Sequence, residues 1–344
     1  MTRIKKITAN KVTNNGIKPK VIDGYTVFTK EKGKDFVILQ LTDLHFGRGF
    51  LSRKSDILAH NAVVTIVNRV KPDLIILTGD NVYPISIFSG TSNNMRQSKY
   101  VGELMESFQI PWTLTFGNHD CEPFSKADKN KLASYYSSLE HCLLKNDVKD
   151  ISGTGNHIIK LNNADSTLNT ALVMLDSNMY VGKTFFSGFD NIHDDQIEWY
   201  KKSIKEMSGE KIASSLAFFH MPPQEMRDAW EILKLGGTDK VTYHLGGIGE
   251  INDHVGYSRK KQGNFFEEMV KLKSCKGMFF GHDHLSNLSV TYKGIRLTYG
   301  MSIDFLAYRK IRKKYTQRGG TIINIKDDKS FKVSLSPLTV IVEE

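Results

Sequence analysis

Short runs of branched and aromatic apolar residues recur along the chain, and most are followed at once by glycine or polar residues. Runs of about four to eight apolar residues bounded by turn-forming residues are typical of buried β-strands. We predict strands at 36–41, 74–77, 113–116, 171–175, 216–219, 277–280, 295–299, 321–325 and 331–335.

Between the early strands, apolar residues recur with helical spacing. A stripe from Leu58 to Val70 predicts a helix that ends before Pro72, and similar stripes lie at 101–108 and 197–207. Alternating strands and helices indicate an α/β protein. The last three predicted strands follow one another without a helix, so we expect that part of the chain to pair largely antiparallel.

No internal repeat or low-complexity linker divides the sequence. We predict one domain over residues 25–344, preceded by an N-terminal extension at 1–24. Two stretches fit neither periodic pattern: 84–98 is rich in Ser, Asn and Gly, and 236–263 is rich in Gly. Loops of this length in a compact domain are usually functional or disordered, so we predict two loop insertions near the site, with 236–263 forming a rim or lid that helps to select the substrate.

Composition is that of an ordinary globular protein, with 40% hydrophobic and 24% charged residues. No apolar run approaches the ~20 residues needed to span a bilayer, and the basic N-terminal segment lacks the apolar stretch of a secretory signal. We therefore expect a cytoplasmic protein without a membrane partner. The three cysteines have neither zinc-knuckle nor disulfide-framework spacing, which predicts free thiols.

The formal net charge is +10, and one stretch, 308–315, combines basic residues with tyrosines. Such features suit an anionic partner such as nucleic acid. Basic runs are more often solvated turns or edges, and net charge alone discriminates poorly. A nucleic-acid partner is therefore an open alternative that the sequence does not favour.

Five short polar segments directly follow predicted strands. They are Asp43-Leu44-His45, Gly79-Asp80-Asn81, Gly117-Asn118-His119-Asp120, His220 and Gly281-His282-Asp283-His284. In sheets built from alternating strands and helices, ligands bind beyond the carboxyl ends of the strands. We therefore expect the five segments to meet in one site.

The side chains in these segments are typical metal ligands. Asp43 and His45 are two residues apart, so on an extended segment they leave from one face, and His282 and His284 repeat that spacing. Asp80 follows a glycine at a sharp turn, where a carboxylate can bridge two cations. A neutral amide oxygen and a further imidazole come from Asn118 and His220. Mixed nitrogen and oxygen ligation suits two first-row ions, such as Fe, Mn or Zn, and argues against a thiolate zinc site.

In their order along residues 36–325, the five motifs resemble those of calcineurin-like metallophosphoesterases. Three segments resemble those of the branch that contains plant purple-acid-phosphatase-like proteins and a related fungal phosphatase: Leu175-Asp176-Ser177, His220-Met221-Pro222-Pro223 and Gly281-His282-Asp283-His284. The resemblance implies a four-layer αββα sandwich, in which two mixed β-sheets pack face to face and helices cover their outer faces.

The resemblance also implies a role for each site residue. The ligands of one ion would be Asp43, His45, Asp80 and His284, and those of the other Asp80, Asn118, His220 and His282. His119 would be catalytic and not a ligand: it would stabilise charge on the phosphoryl group or protonate the leaving oxygen. A hydroxide bridging the two ions would attack phosphorus.

Several residues near the motifs are candidates for other roles. Arg48 follows the first motif and could bind a phosphoryl oxygen, and His244 and His254 lie in the predicted lid. Tyr83 matches a tyrosine that binds ferric iron in true purple acid phosphatases. Those enzymes normally have glycine where this chain has His45, whose imidazole would fill the same coordination position. We therefore predict that Tyr83 packs beside the metals without binding one.

Three functions are consistent with the motifs. The leading prediction is a dinuclear metal-dependent phosphomonoesterase with a phosphate-ester substrate. A phosphodiesterase or nuclease is the first alternative, because the segment 43–48 also resembles the opening motif of repair nucleases in this superfamily. A non-catalytic protein-binding scaffold is the second, although such scaffolds typically lose motif residues and none is missing here. The sequence does not determine the oligomeric state.

Overall fold

The computed structural model describes residues 6–7, 16–181, 188–250, 255–256, 264–308 and 318–338. The strands are β1 (Lys20–Ile22), β2 (Tyr25–Thr29), β3 (Phe36–Leu41), β4 (Leu74–Thr78), β5 (Trp112–Thr115), β6 (His157–Asn162), β7 (Leu168–Met174), β8 (Ser215–Phe218), β9 (Val241–Leu245), β10 (Cys275–Phe280), β11 (Ser289–Tyr292), β12 (Ile295–Tyr299), β13 (Gly319–Ile325) and β14 (Phe331–Pro337). The helices are α1 (Arg53–Val70), α2 (Ser86–Ser89), α3 (Asn94–Glu106), α4 (Lys129–Ser137), α5 (Asp194–Met207), α6 (Glu225–Lys234) and α7 (Phe265–Leu272).

The strands form two mixed sheets. One has nine strands in the order β1-β2-β6-β7-β8-β10-β12-β11-β9, and the other has five in the order β14-β13-β3-β4-β5. Strands β3, β4 and β5 are parallel to one another, and so are β7, β8, β10 and β12. The carboxyl ends of each parallel set therefore lie along one edge of its sheet.

The two sheets pack face to face, and the central strands of each sheet, such as β3 and β8, are buried on both faces. In β3, Ile38 belongs to the core between the sheets, whereas Leu39 belongs to the core beneath α1, α3 and α4. In β8, Phe218 faces the core between the sheets, while Ala217 packs with residues of α5, α6 and α7. This double burial explains the continuous apolar runs in the sequence. The predicted four-layer αββα fold is confirmed.

Several elements differ from the sequence prediction. Segment 84–98 contains α2 and the start of α3, because Asn93 accepts a hydrogen bond from the Arg96 N–H and caps a helix whose first turn is polar. Segment 236–263 contains β9, which pairs antiparallel with β11, while 251–254 and 257–263 lie outside the described residues. β1 lies in the predicted N-terminal extension and pairs with β2.

The expected antiparallel pairing of the last strands is right for only part of that region. β13 pairs antiparallel with β14 and β3. β12 lies in the other sheet, parallel to β10 and antiparallel to β11. No described helix is both long and apolar enough to cross a bilayer.

Candidate metal centre

The first two motifs are joined by backbone hydrogen bonds beyond β3 and β4. The Asp43 N–H donates to Gly79 O at 3.1 Å, and the His45 N–H donates to Asp80 O at 3.0 Å. Asp43, His45 and Asp80 have φ angles of 52°, 48° and 51°, in the left-handed region that residues with a Cβ seldom adopt. Such conformations cluster at functional sites, where the surrounding structure holds them in place.

Two motif glycines allow the loops to approach closely. A Cβ on Gly117 would lie 2.2 Å from Asp80 Oδ1, and a Cβ on Gly79 would lie 2.6 Å from His220 Nδ1. Gly79 also has a φ of 87°. Any side chain at these positions would push apart the residues that the motifs bring together.

Four predicted ligands form one tight group. The ligand atoms of Asp43, His45, Asp80 and His284 all lie within 4.8 Å of one another. His45 Nε2 is 3.2 Å from Asp80 Oδ2, and His284 Nε2 is 3.5 Å from Asp43 Oδ1. Their donor atoms are the imidazole nitrogens and carboxylate oxygens that first-row ions accept.

The remaining predicted ligands adjoin this group on the side of Asp80. His220 Nε2 lies 3.3 Å from Asp80 Oδ2 and 3.2 Å from Asn118 Oδ1. The His282 and His220 ring centroids are 5.4 Å apart, and the His282 N–H donates to Asp43 Oδ1 at 3.2 Å. Asp80 therefore contacts residues of both predicted ligand sets, His45 and His220.

A buried acceptor without a partner indicates that this cluster suits a cation. Asp43 is fully buried, and in the described part of the chain its Oδ2 atom has no hydrogen-bond partner. An ionised carboxylate oxygen buried in this way is costly unless a positive charge compensates it. The donor set and this oxygen both fit a bound metal ion.

The electrostatics of the protein without metal support the same conclusion. Burial lowers the pKa of His220, but Asp80 and Asp43 raise it to about 9. Burial raises the pKa of Asp80, yet His220 and His119 hold it well below its usual value. His282 has a pKa well below its usual value because of burial and the neighbouring imidazoles. The imidazoles of this cluster are therefore coupled electrostatically to Asp80, and a metal would compete with protons for the same nitrogen and oxygen atoms.

Asp304 is a site residue that our sequence analysis missed. It is fully buried, and its Oδ2 accepts a hydrogen bond from His284 Nδ1 at 3.1 Å, while its Oδ1 lies 3.4 Å from His45 Nδ1. Both imidazoles therefore keep Nε2 for a metal. A carboxylate behind a ligating histidine fixes its tautomer and ring orientation. Asp304 follows the carboxyl end of β12, a strand that the sequence did predict, so the signal was one more polar residue beyond a strand end.

His119 occupies a different position from the predicted ligands. Its backbone N–H donates to Asp80 Oδ1 at 2.8 Å, and its Nδ1 lies 2.5 Å from Glu122 Oε1. The Tyr180 hydroxyl donates to the same Glu122 oxygen at 3.2 Å and accepts from Asn118 Nδ2 at 3.3 Å. The sequence analysis did not identify Glu122 or Tyr180 as partners of this histidine.

The carboxylate next to His119 has a structural role. Asp120 is buried; its Oδ1 accepts the N–H groups of Asn81 and Val82, and its Oδ2 accepts that of Gly117. Burial and the nearby Asp80 charge raise the pKa of Asp120 to about 6. Asp120 thus ties the second motif to the third.

Tyr83 packs between His45 and His119. Its ring centroid is 5.0 Å from that of His45 and 4.9 Å from that of His119, both in edge-on contacts. Burial, followed by the charge of Asp304, raises the pKa of Tyr83 well above its usual value, which disfavours the tyrosinate form in the absence of a metal. That Tyr83 binds no metal stays a prediction.

Two of the three proposed substrate residues, Arg48 and His244, lie in the described part of the structure, and they are on different elements. Arg48 lies in the loop after His45, with its guanidinium 3.9 Å from the centre of the Tyr100 ring. His244 is on β9 at the end of the nine-stranded sheet, where its Nε2 contacts Thr291 Oγ1 at 2.7 Å. His254 lies outside the described residues. Their contact with a substrate stays a prediction.

Comparison with known proteins gives concordant matches. The calcineurin-like phosphoesterase family model matches residues 36–286. The chain is 25% identical to probable inactive purple acid phosphatase 29 of Arabidopsis thaliana, covering 87% of this chain and 84% of that protein. It is 26% identical to probable inactive purple acid phosphatase 28 of the same plant, covering 79% of this chain and 71% of that protein.

A solved structure shares the fold. A dimetal phosphatase from Danio rerio superposes with a TM-score of 0.54 at 12% identity, covering 88% of this chain and 96% of that one. The expected similarity to purple-acid-phosphatase-like proteins is confirmed by the two plant relatives. Since the family model spans well over half of its residues, this chain belongs to the calcineurin-like phosphoesterase family.

Proposed function

We propose that this protein is a dinuclear metal-dependent phosphohydrolase and that its preferred substrates are phosphomonoesters. The observation that carries the proposal is the group of Asp43, His45, Asp80 and His284, whose ligand atoms lie within 4.8 Å of one another, with Asn118 and His220 on the other side of Asp80. Two bound cations would supply positive charge for the phosphoryl oxygens and acidify a water molecule.

The protein's own residues would orient and protonate the substrate. Glu122 engages His119 through Nδ1, so Nε2 is the nitrogen free to face a substrate. From there His119 would donate a proton to the leaving oxygen, a role worth about 10²- to 10⁴-fold in rate. The backbone bond from His119 to Asp80 holds this histidine directly beside the metal ligands.

Replacing His119 with Asn tests this role. We expect kcat to fall by about 10²- to 10⁴-fold for esters with poor leaving groups and much less for esters with acidic leaving groups, which need no proton. Metal content should be unchanged. His141→Asn is a matched control, because His141 also pairs with a glutamate, Glu106, at 3.0 Å and has the same side-chain exposure of 23%. An equal loss of rate for all leaving groups would contradict the acid role.

Parallel assays separate the proposal from its alternatives. Protein stripped with a chelator and reloaded with Mn²⁺, Zn²⁺ or iron would be given an aryl phosphomonoester, an aryl phosphodiester and single-stranded DNA. The proposal expects the highest kcat/KM on the monoester. Faster cleavage of the diester or of DNA would favour the phosphodiesterase or nuclease alternative. The plant relatives are named probable inactive phosphatases, and a metal-loaded protein that cleaves none of the substrates would favour the scaffold alternative.

A further inference from the structure

Four large apolar side chains are exposed beside the metal centre. Phe50 and Leu51 are 80% and 52% exposed, and Ile87 and Phe88 are 74% and 40% exposed. We call these four residues the apolar rim. Single exposed apolar residues are ordinary, but a contiguous exposed group usually marks an interaction site.

The rim is one surface, although it comes from two segments of the chain. A Cβ on Gly49 would lie 2.0 Å from Ser89 O, and a Cβ on Gly90 would lie 2.8 Å from the Phe50 ring. The loop before α1 and the short helix α2 are thus in direct contact. Phe50 and Leu51 therefore lie beside Ile87 and Phe88.

Buried hydrogen bonds hold this surface in place. Gln97 is fully buried, and its Nε2 donates to Gly47 O at 2.6 Å and to Tyr83 O at 3.1 Å, which links the two segments. Asp56 accepts the N–H groups of Gly47 and Arg48. These hydrogen bonds fix the framework from inside, whereas the apolar tips remain in solvent.

The rim adjoins the catalytic residues. The Phe88 ring centroid is 6.1 Å from that of Tyr83, and Tyr83 is 4.9 Å from His119. A partner that covered the rim would therefore lie next to the proposed phosphoryl site.

The charges around the rim identify the kind of partner. Arg53 and Lys54 are exposed in the first turn of α1, directly after Leu51, and Arg96 and Lys99 are exposed on α3. No Asp or Glu occurs at 46–55 or at 81–102. Exposed acid first appears at Glu103, further along α3, so the cations next to the rim in sequence are Arg53 and Lys54. Exposed apolar tips flanked by cations complement the surface of a bilayer that carries anionic headgroups.

We propose that the apolar rim and its flanking cations bind the surface of a membrane that contains anionic phospholipids. The apolar tips enter the boundary between headgroups and acyl chains, and the cations contact the headgroups. If the proposed function is correct, on which this step rests, the docking would present the metal centre to phosphate esters at the membrane surface. The chain needs no spanning segment for such contact, so the rim adds a membrane partner that the sequence analysis did not expect.

Sedimentation of the full chain with vesicles tests the binding without requiring activity. We expect binding to vesicles of phosphatidylcholine with about one-fifth phosphatidylserine, weak binding to pure phosphatidylcholine, and release by high salt. The double substitution Phe50→Ser with Ile87→Ser should lower the partition coefficient about tenfold or more. Arg53→Glu with Lys54→Glu should weaken binding to the anionic vesicles alone.

Two exposed apolar residues elsewhere provide the matched control. Leu235 and Val21 are 89% and 73% exposed, so Leu235→Ser with Val21→Ser should leave vesicle binding unchanged. Equal binding by wild type and the Phe50/Ile87 variant would overturn the proposal, and so would a lack of binding by both. If neither wild type nor the Phe50/Ile87 variant binds vesicles, and wild type self-associates in sedimentation velocity while the variant does not, the rim is a protein interface instead.

Activity measurements separate this proposal from the proposed function. The Phe50/Ile87 variant should keep its rate on a water-soluble aryl phosphate and lose rate on phosphatidic acid in vesicles. A wild-type protein that binds vesicles and hydrolyses no ester would overturn the proposed function and leave the membrane site standing. Hydrolysis of the soluble ester without vesicle binding would overturn the membrane site and leave the proposed function standing.

Discussion

Replacing Asp304 with Asn should weaken the binding of one metal ion more than the other. Asp304 Oδ1 accepts the Leu306 and Ala307 N–H groups and lies 3.4 Å from His45 Nδ1, and its Oδ2 accepts the Tyr308 N–H and His284 Nδ1. Both oxygens face donors. An asparagine amide must therefore place its NH₂ group against N–H groups in either orientation.

The expected magnitude follows from the role of a carboxylate behind a metal-binding histidine. Losing such a partner typically costs about 10- to 100-fold in metal affinity, or about 1.4 to 2.7 kcal/mol. Asp304 contacts His45 and His284, which belong to the first ligand group, whereas His220 Nδ1 bonds to Thr78 O at 2.9 Å. The affinity for the ion bound by His45 and His284 should fall by this factor, and the affinity for the ion bound by His220 should change little.

Competition with a chromophoric chelator on the metal-free protein would give both dissociation constants. Asp73→Asn is a suitable control, because Asp73 is also buried and accepts the Val37 N–H at the start of β3, away from the ligands. The control should lower the free energy of unfolding without changing either dissociation constant. A folded Asp304→Asn protein with unchanged affinity for both ions, or with equal losses at both, would refute the reasoning.

Three further predictions follow from individual contacts. Glu122→Gln should lower kcat about tenfold or more for esters with poor leaving groups, with little change in KM. The control Glu106→Gln should not lower kcat. Equal rates in the two variants would show that Glu122 has no part in the mechanism. Iron-loaded protein should show no tyrosinate charge-transfer band, and a band abolished by Tyr83→Phe would make Tyr83 a ligand. Burial lowers the pKa of His157 to about 4, and its Nδ1 donates to Gly155 O at 2.7 Å, so the unfolded chain takes up protons first as pH falls below about 6.5. At pH 5 the free energy of unfolding should therefore be about 2 kcal/mol lower than at neutral pH because of His157. Denaturant unfolding in the presence of chelator measures this loss, which should be absent in His157→Gln. Parallel pH profiles for the two proteins would contradict the prediction.

The sequence predicted the strands that precede the proposed ligands because their signal is local. Strands β3, β4, β8 and β10 are buried on both faces, so they appear as apolar runs, and the motifs begin where the runs end. Parallel pairing brings the ends of β3 and β4 to one edge of the five-stranded sheet and those of β8 and β10 to one edge of the nine-stranded sheet, and the packing of the two sheets brings these edges together. Asp80, which follows β4, thus reaches both His45 and His220 as expected.

The elements that were missed lack that local signal. β9 is an edge strand whose side chains at 242–244 are exposed, so its composition resembles a loop. The start of α3 is polar because Asn94 and Gln97 are buried as hydrogen-bonding residues and not as apolar contacts. Periodicity of apolar residues cannot detect a helix face that is buried through amide groups.

The supporting residues of the site depend on tertiary contacts that spacing does not reveal. Asp304 lies next to His45 only because β12 is in the nine-stranded sheet and its end turns toward β3, where the Ile303 N–H donates to Thr42 O at 3.1 Å. Glu122 follows His119 by three residues, but Asp120 is a carboxylate that lies even nearer in sequence. Only the structure distinguishes the partner of the histidine from the residue that ties the loops.

The central claim is that Asp43, His45, Asp80, Asn118, His220, His282 and His284 hold two ions that act together on a phosphomonoester. The most direct test is to titrate metal-free protein with Mn²⁺ or Zn²⁺ and to measure bound ions per chain and phosphate release from an aryl phosphomonoester in the same samples. We predict little phosphate release with one ion bound, and a maximum rate as occupancy reaches two. Asp80→Asn should lower both occupancies. A protein that holds two ions per chain and releases phosphate no faster than the Asp80→Asn variant would contradict the claim.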